Sequence, residues 1–312
     1  MTPSLDALAQ PPKTYRALPE AVSSFGAIGA DGFVYLYGGH TGTSHTYSTA
    51  TASGQFYRLD LKNPLNWEPL AGGAQLQGMN LATHGGKIYI AGGMQPRNPP
   101  GTPADNHSVA DVASYDPATK KWSPLPALPE PRSSHDVVAL DGKLYVVGGW
   151  WLKGKSQKPT WSRVSVVMDL NASQPKWTSM HEPFERRALA AAAVDGKLYV
   201  LGGMDDKGVI STNVEIFDPK TERWSFGVPF PGKENNGFSP AACGLGGKLY
   251  LSAADGRIYR FDPAGKAWDD VGGVPDGRLA GRLVPASENR LLVLGGSTKN
   301  GNAAAIGVVD LK

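Results

Sequence analysis

The chain holds one cysteine, Cys243, in 312 residues, which excludes an internal disulfide framework and any cysteine-rich metal knuckle. Charge of one sign is equally scarce. The 31 Lys and Arg against 28 Asp and Glu leave a net +3, scattered along the chain, so no basic stretch offers itself to a nucleic acid. The longest run of small apolar residues, Ala188 to Val194, is far too short to span a bilayer. Met1 to Pro12 has neither a basic opening nor an apolar core, so no signal peptide is read there. The localisation reading favours an exported chain whose signal peptide is absent over a cytoplasmic one. There is no Gly-Lys-Ser/Thr phosphate loop, no Gly-x-Ser-x-Gly elbow and no His-Glu-x-x-His. The carboxylates at Glu182, Glu185 and Glu234 have no spacing that makes them a glycosidase pair.

Turns and short apolar runs are abundant. The 39 Gly and 25 Pro imply many turns, and 41% hydrophobic residues suffice for a core. One ten-residue unit recurs: Ala30-Asp-Gly-Phe-Val-Tyr-Leu-Tyr-Gly-Gly39, His84 to Gly93, Leu140-Asp-Gly-Lys-Leu-Tyr-Val-Val-Gly-Gly149, Val194 to Gly203, Leu245 to Ala254 and Ser287 to Gly296. Its Asp-Gly needs positive φ and reverses one strand into the next. The apolar run after it suits a strand buried on both faces. The closing Gly-Gly marks close backbone approach, and the copy ending Ala253-Ala254 is degenerate.

A second signature follows each unit. Tyr115-Asp-Pro, Phe217-Asp-Pro and Phe261-Asp-Pro end a third strand, and Trp67, Trp122, Trp177, Trp224 and Trp268 open a fourth. These tryptophans are read as packing between neighbouring sheets. From Gly39 to Gly93, Gly149 and Gly203 the steps are 54, 56 and 54 residues, the period of a propeller blade. The last copy lacks its tryptophan strand. Thr14-Tyr-Arg-Ala-Leu-Pro19 has the pattern of Lys121-Trp-Ser-Pro-Leu-Pro126 and is expected to supply it. The expectation is an all-β, six-bladed propeller of four-stranded antiparallel blades in a single domain, 1–312. Its blades fall near 20–70, 76–126, 131–181, 186–229, 237–273 and 278–312 plus 13–19. Closure through the N-terminal strand removes open edges and favours a monomer.

The Gly-Gly pairs, the Tyr/Phe-Asp-Pro turns and the spaced tryptophans together resemble the kelch motif over residues 13–312. The resemblance implies a six-bladed β-propeller and little about chemistry, because galactose oxidases, actin binders, ubiquitin-ligase adaptors and sialic acid mutarotases all carry kelch blades. A radical-copper oxidase would need a cysteine cross-linked to tyrosine, and Cys243 falls on an expected buried strand instead. No BTB-type segment accompanies the repeats, which argues against an adaptor. Leu18-Pro with Gly26-Ala-Ile, and Gly277-Arg-Leu-Ala-Gly with Leu292-Val-Leu-Gly-Gly296, are similar to bacterial N-acetylneuraminate epimerase. That enzyme class would need an acid, a base and a carboxylate anchor, with no cofactor.

In such blades the loops after the Gly-Gly pairs and before the first strands emerge on one face, around the channel mouth. The loops His40–Gln55, Met94–Ala110 and Trp150–Arg163 are long, which predicts a cleft walled by blades one to three and open over the others. The first loop, rich in hydroxyls, brings His40 and His45. It has no carboxylate to complete a metal shell, so no metal and no cofactor are expected. Trp150 and Trp151, beside three lysines, suit a sugar face or an anion. The starts of the first strands add Asn80, Arg132, Ser134, His135, Arg187, Phe238 and Arg282 to the candidate ligand site. Arg132, Arg187 and Arg282 are expected either to converge on a carboxylate or to bond inter-blade carbonyls. Of the catalytic candidates His135, Arg187 and Arg282, only His135 titrates near neutral pH, with a structural role as the competing reading. The expected function is recognition of a glycan, small sugar acid or acidic peptide at the mouth; the alternative is a cofactor-independent sialic acid mutarotase.

Overall fold

The computed structural model describes Pro12, residues 14–264 and residues 266–312. Six antiparallel sheets stand around one axis. Blade one comprises Gly26–Ala30, Phe33–His40, Ala52–Asp60 and Trp67–Leu70; blade two comprises Leu81–His84, Lys87–Ala91, Val112–Asp116 and Lys121–Leu125. Blade three comprises Asp136–Leu140, Lys143–Val147, Val164–Asp169 and Trp177–His181, and blade four Arg187–Val194, Lys197–Met204, Val214–Asp218 and Arg223–Phe226. Blade five comprises Ala241–Leu245, Lys248–Ser252, Arg257–Asp262 and Ala267–Gly273. Blade six pairs Arg282–Ser287, Arg290–Leu294 and Ile306–Asp310. Among the described residues there is no α-helix, only one 3₁₀ turn at Glu234–Gly237.

The repeat explains itself locally. Asp141 and Gly142 sit at φ 49° and 75°, and Asp31-Gly32 and Asp195-Gly196 at 49° and 79° and at 48° and 70°, the geometry that turns one twisted strand into the next. At Gly148 a Cβ would lie 2.6 Å from the Arg186 carbonyl, so the next blade's entry fits only over glycine. In blade five the chain returns at once through Asp255-Gly256, and the linker entering blade six packs on it through Val274 and Gly277, so the close approach falls on Gly256 and Gly277 rather than on Ala253-Ala254. Each of the five tryptophans donates its indole N–H to the linker entering its blade: Trp67 to Arg16 O, Trp122 to Ala71 O, Trp177 to Pro126 O, Trp224 to His181 O and Trp268 to Val228 O. The ring therefore fills the gap between blades while its polar edge pins the linker.

Two features close the circle. Arg290 Nη1 donates to Pro12 O at 2.6 Å, and Leu18 N–H donates to Ala304 O at 2.8 Å. That second bond matches Leu128 to Ala110 and Phe230 to Thr212 at the ends of other blades, so the N-terminal segment lies where blade six needs its fourth strand. The expected strand begins at Lys13, which lies outside the described residues. The second closure is on the axis. Ser24, Gly78, Ser134, Ala188, Ser239 and Ala280 all adopt φ between 49° and 66°. Each donates its N–H to the same position of the preceding blade, and Ser24 donates to Ala280, giving an unbroken hexagon of bonds from 2.6 to 3.1 Å, a collar around the axis. Five of the six are not glycine, a strain of order 1 kcal/mol each that the ring geometry must hold.

Candidate functional site

The loops above the collar are more ordered than their sequence implies. Met94–Pro96 pairs with Asn106–Ser108, and Trp150–Trp151 pairs with Thr160–Trp161, so two of the three expected loops are short hairpins. Blade six also contributes one, Ser297–Thr298 with Gly301–Asn302, and Asn302 Nδ2 donates to His40 O and Gly42 O. The cleft is thus walled on blade six as well, a correction to the expectation that it opens over blades four to six.

The candidate residues divide into three groups according to their distance in sequence from the collar. Arg187 stands one residue before it. Its guanidinium lies 4.0 Å from the Trp150 ring centroid and 5.6 Å from that of Phe238. No carboxylate bonds it among the described residues, its Nε is buried without a partner, and Trp150 Nε1 is buried and unpartnered too. Trp150 is braced edge-on by Trp161 at 5.1 Å, across the hairpin that Ser133 and Trp150 anchor to blade three. Burial depresses the Arg187 pKa, while the nearby Tyr47 hydroxyl opposes that shift; burial in turn raises the Tyr47 pKa. This cluster is a cation beside two aromatic rings with an unpartnered Nε on the arginine and an unpartnered indole N–H next to it, a set of donors that suits an anion.

Arg282, by contrast, stands two residues after the collar, inside the channel. Its Nε donates to Phe25 O at 2.7 Å and its Nη2 to Met79 O at 2.6 Å. Asn80 donates to Asp136 and accepts the N–H groups of Ala27 and Leu81, while Asp136 accepts those of Val137 and Ala191. These three side chains satisfy the free inner edges of neighbouring blades, groups that would otherwise be costly to bury. Burial raises the Asp136 pKa and lowers that of Arg282, each opposed by the attraction of the other.

Arg132 stands two residues before the collar and is 3% exposed, with Nη1 donating to Gly148 O and Val164 O. The three arginines therefore do not converge. Strand alternation and two-residue offsets send them to three different places. His135, 3% exposed, bonds Ala91 O through Nε2, and burial together with Arg132 lowers its pKa to about 3. A ring so placed stays neutral and reaches no solvent, so proton transfer at the mouth does not fit it. Ser134 belongs to the collar. His40 is buried, bonded to Thr43 O and packed against Tyr47, and His45 is an exposed loop residue at φ 64°. Among the described residues no group of His, Cys, Asp and Glu could hold a metal ion. Trp151 carries Lys153 over its face at 4.7 Å.

Two residues escaped the sequence reading. Tyr47 lies within a loop of hydroxyl residues and gave no signal. Gln77 occupies in blade two the register of Arg187 in blade four, and its buried Nε2 also has no partner among the described residues. Its only signal in the sequence is the glycine that follows it, Gly78.

The family described as KLHDC2/KLHL20/DRC7 Kelch-repeats domain matches residues 83–252. Kelch-like protein 35 of Mus musculus is 26% identical over 231 residues, covering 62% of this chain and 40% of that protein. Kelch-like protein terF of Aspergillus terreus (strain NIH 2624 / FGSC A1156) is 24% identical over 212 residues, covering 66% and 44%. Beta-scruin of Limulus polyphemus is 26% identical over 196 residues, covering 58% and 20%. The chain spans less than half the length of these relatives. Among solved structures, the one titled "Structure of YjhT" superposes with a TM-score of 0.75 at 17% identity, covering 96% of this chain and 97% of that one. That likeness is one of fold.

Proposed function

The chain belongs to the kelch-repeat family, and on that premise we propose that it captures a carboxylate at its channel mouth, presented by a sugar acid of a glycan or by an acidic peptide. One observation carries this reading. Arg187 and Trp150, with the guanidinium 4.0 Å from the ring centroid, hold two buried donors, Nε and Nε1, that nothing in the described protein satisfies. A buried unsatisfied donor costs about 1–3 kcal/mol, and a carboxylate arriving in the plane of the guanidinium removes that cost while gaining charge-assisted bonds. Phe238 and Tyr47 add apolar faces for a sugar ring or a peptide side chain.

Arrays of sialylated and neutral glycans, printed beside acidic and neutral peptides, test it. Acidic probes should be retained by the wild-type protein and lost from Arg187→Met. Equal retention of neutral probes would refute the reading. The mutarotase alternative asks for an acid and a base beside the anchor. His135 faces Ala91 and Arg282 lies past the collar, so the geometry supports binding without turnover. Freshly released α-sialic acid, followed by NMR, should equilibrate at the same rate with and without the protein. Acceleration that disappears in Arg187→Ala would establish the enzyme instead.

A further inference from the structure

Five of the six entries into blades insert one buried apolar side chain between neighbouring sheets: Leu18, Leu128, Phe184, Phe230 and Val274, all under 10% exposed. The sixth, between blades one and two, reads Ala71-Gly-Gly-Ala-Gln75 and carries no apolar side chain at the matching position, its buried residue Leu76 coming three residues later. Backbone bonds fix the correspondence. Gly73 N–H donates to Gly54 O as Leu18 donates to Ala304, Leu128 to Ala110, Phe230 to Thr212 and Val274 to Gly256. Gly73 therefore stands where the other grooves carry Leu, Phe or Val.

The place left open is a cavity of about 240 Å³. Its walls are Tyr37 and Trp122, set edge to face at 5.7 Å, with Leu76, Ile90 and Val112 behind them. The hydroxyl of Tyr37, beside Gly73, and the indole N–H of Trp122 are already bonded to Ala74 O and Ala71 O, so neither is a free donor to a ligand. Among the described residues, Asp111 alone of the lining is charged, and it is exposed at the cavity edge. For scale, an apolar cavity of about 150 Å³ holds benzene.

We infer that this unplugged groove is a second ligand site, separate from the mouth, taking a small aralkylamine whose ring fills the position of the missing side chain and whose ammonium meets Asp111. The ring replaces what Leu128 or Phe230 supplies elsewhere, and the ammonium gains both the carboxylate and the aromatic faces. The probe is phenethylamine, with 2-phenylethanol as the neutral isostere and phenylacetate as the anionic one. The Trp122 indole and Gly73 amide resonances serve as reporters.

Phenethylamine should shift both resonances saturably, and phenylacetate should shift neither. Asp111→Asn should weaken phenethylamine about tenfold and leave 2-phenylethanol unchanged, the ratio expected from losing one charged hydrogen bond. Gly73→Leu, whose Cβ meets only the Tyr37 hydroxyl closely at 2.7 Å, should abolish binding of both. Arg187→Met should change none of this, which separates the result from the fate of the mouth. If Gly73→Leu does not fold, ligand-to-Trp122 Overhauser contacts in the wild-type protein decide the matter. Absent contacts, equal shifts with phenylacetate, or binding that persists in a folded Gly73→Leu protein would overturn the inference.

Discussion

Leu18→Ala tests how the circle is closed. Leu18 is 4% exposed and wedged among Val34 and Leu36 of blade one and Leu292 and Leu294 of blade six, with its N–H on Ala304 O. Truncating a leucine in such a place costs about 3–5 kcal/mol, the lost transfer energy plus the cavity left behind. At about 2.1 cal/mol/K per residue, unfolding a chain of this length carries an entropy near 0.65 kcal/mol/K, so each kcal/mol moves the melting temperature by roughly 1.5 °C. The expected fall is therefore about 4–8 °C by calorimetry. Thr14→Ala, at an exposed site in the same segment, should move it by less than about 1 °C. A Leu18→Ala shift no larger than that of Thr14→Ala would refute the argument that the N-terminal segment clamps blade six to blade one.

Glu182 gives a pH signature. Burial raises its carboxyl pKa to about 7, against the attraction of Arg132 and Arg186 and the bonds from Ser165 and Gly148 N–H. The folded protein thus holds a proton that the unfolded chain releases near pH 4.5, so this contribution is fully present below that pH and lost as pH rises through about 7. The loss amounts to roughly 3 kcal/mol. Glu182→Gln should flatten the fall in stability between pH 5 and pH 8, read by urea denaturation, and an unchanged profile would contradict it. Cys243 lies on the channel, and burial pushes its thiol pKa up. Its alkylation at pH 8 should be at least about tenfold slower in the native protein than in urea, and equal rates would show a thiol open to solvent.

What the sequence made legible was what repeats. Asp-Gly, Gly-Gly and the tryptophans each answer to a backbone need that recurs in every blade, so their period reveals the plan. The collar was hidden because its positive-φ positions are Ser and Ala rather than the glycine that announces such a conformation, leaving Gly78 as the lone visible member. The hairpin Met94–Pro96 with Asn106–Ser108 was obscured by Pro96, Pro99, Pro100 and Pro103, which read as irregular loop. At the site, Trp150, Arg187 and Phe238 could be named from their positions. That Arg132 and Arg282 leave the rim depends on offsets of two residues, and sequence spacing fixes such offsets only once the strand boundaries are known. The unplugged groove is visible as Ala71-Gly-Gly-Ala-Gln75, yet its meaning appears only beside Leu18, Leu128 and Phe230.

The Nε–H resonance of Arg187 tests the central claim most directly. In the free protein it should show no strong acceptor. It should then move downfield and saturate on titration with N-acetylneuraminate or with a capped glutamate peptide, the Trp150 indole following with the same midpoint. A resonance already shifted as if bonded, or one that ignores both acids while other mouth signals respond, would contradict the account.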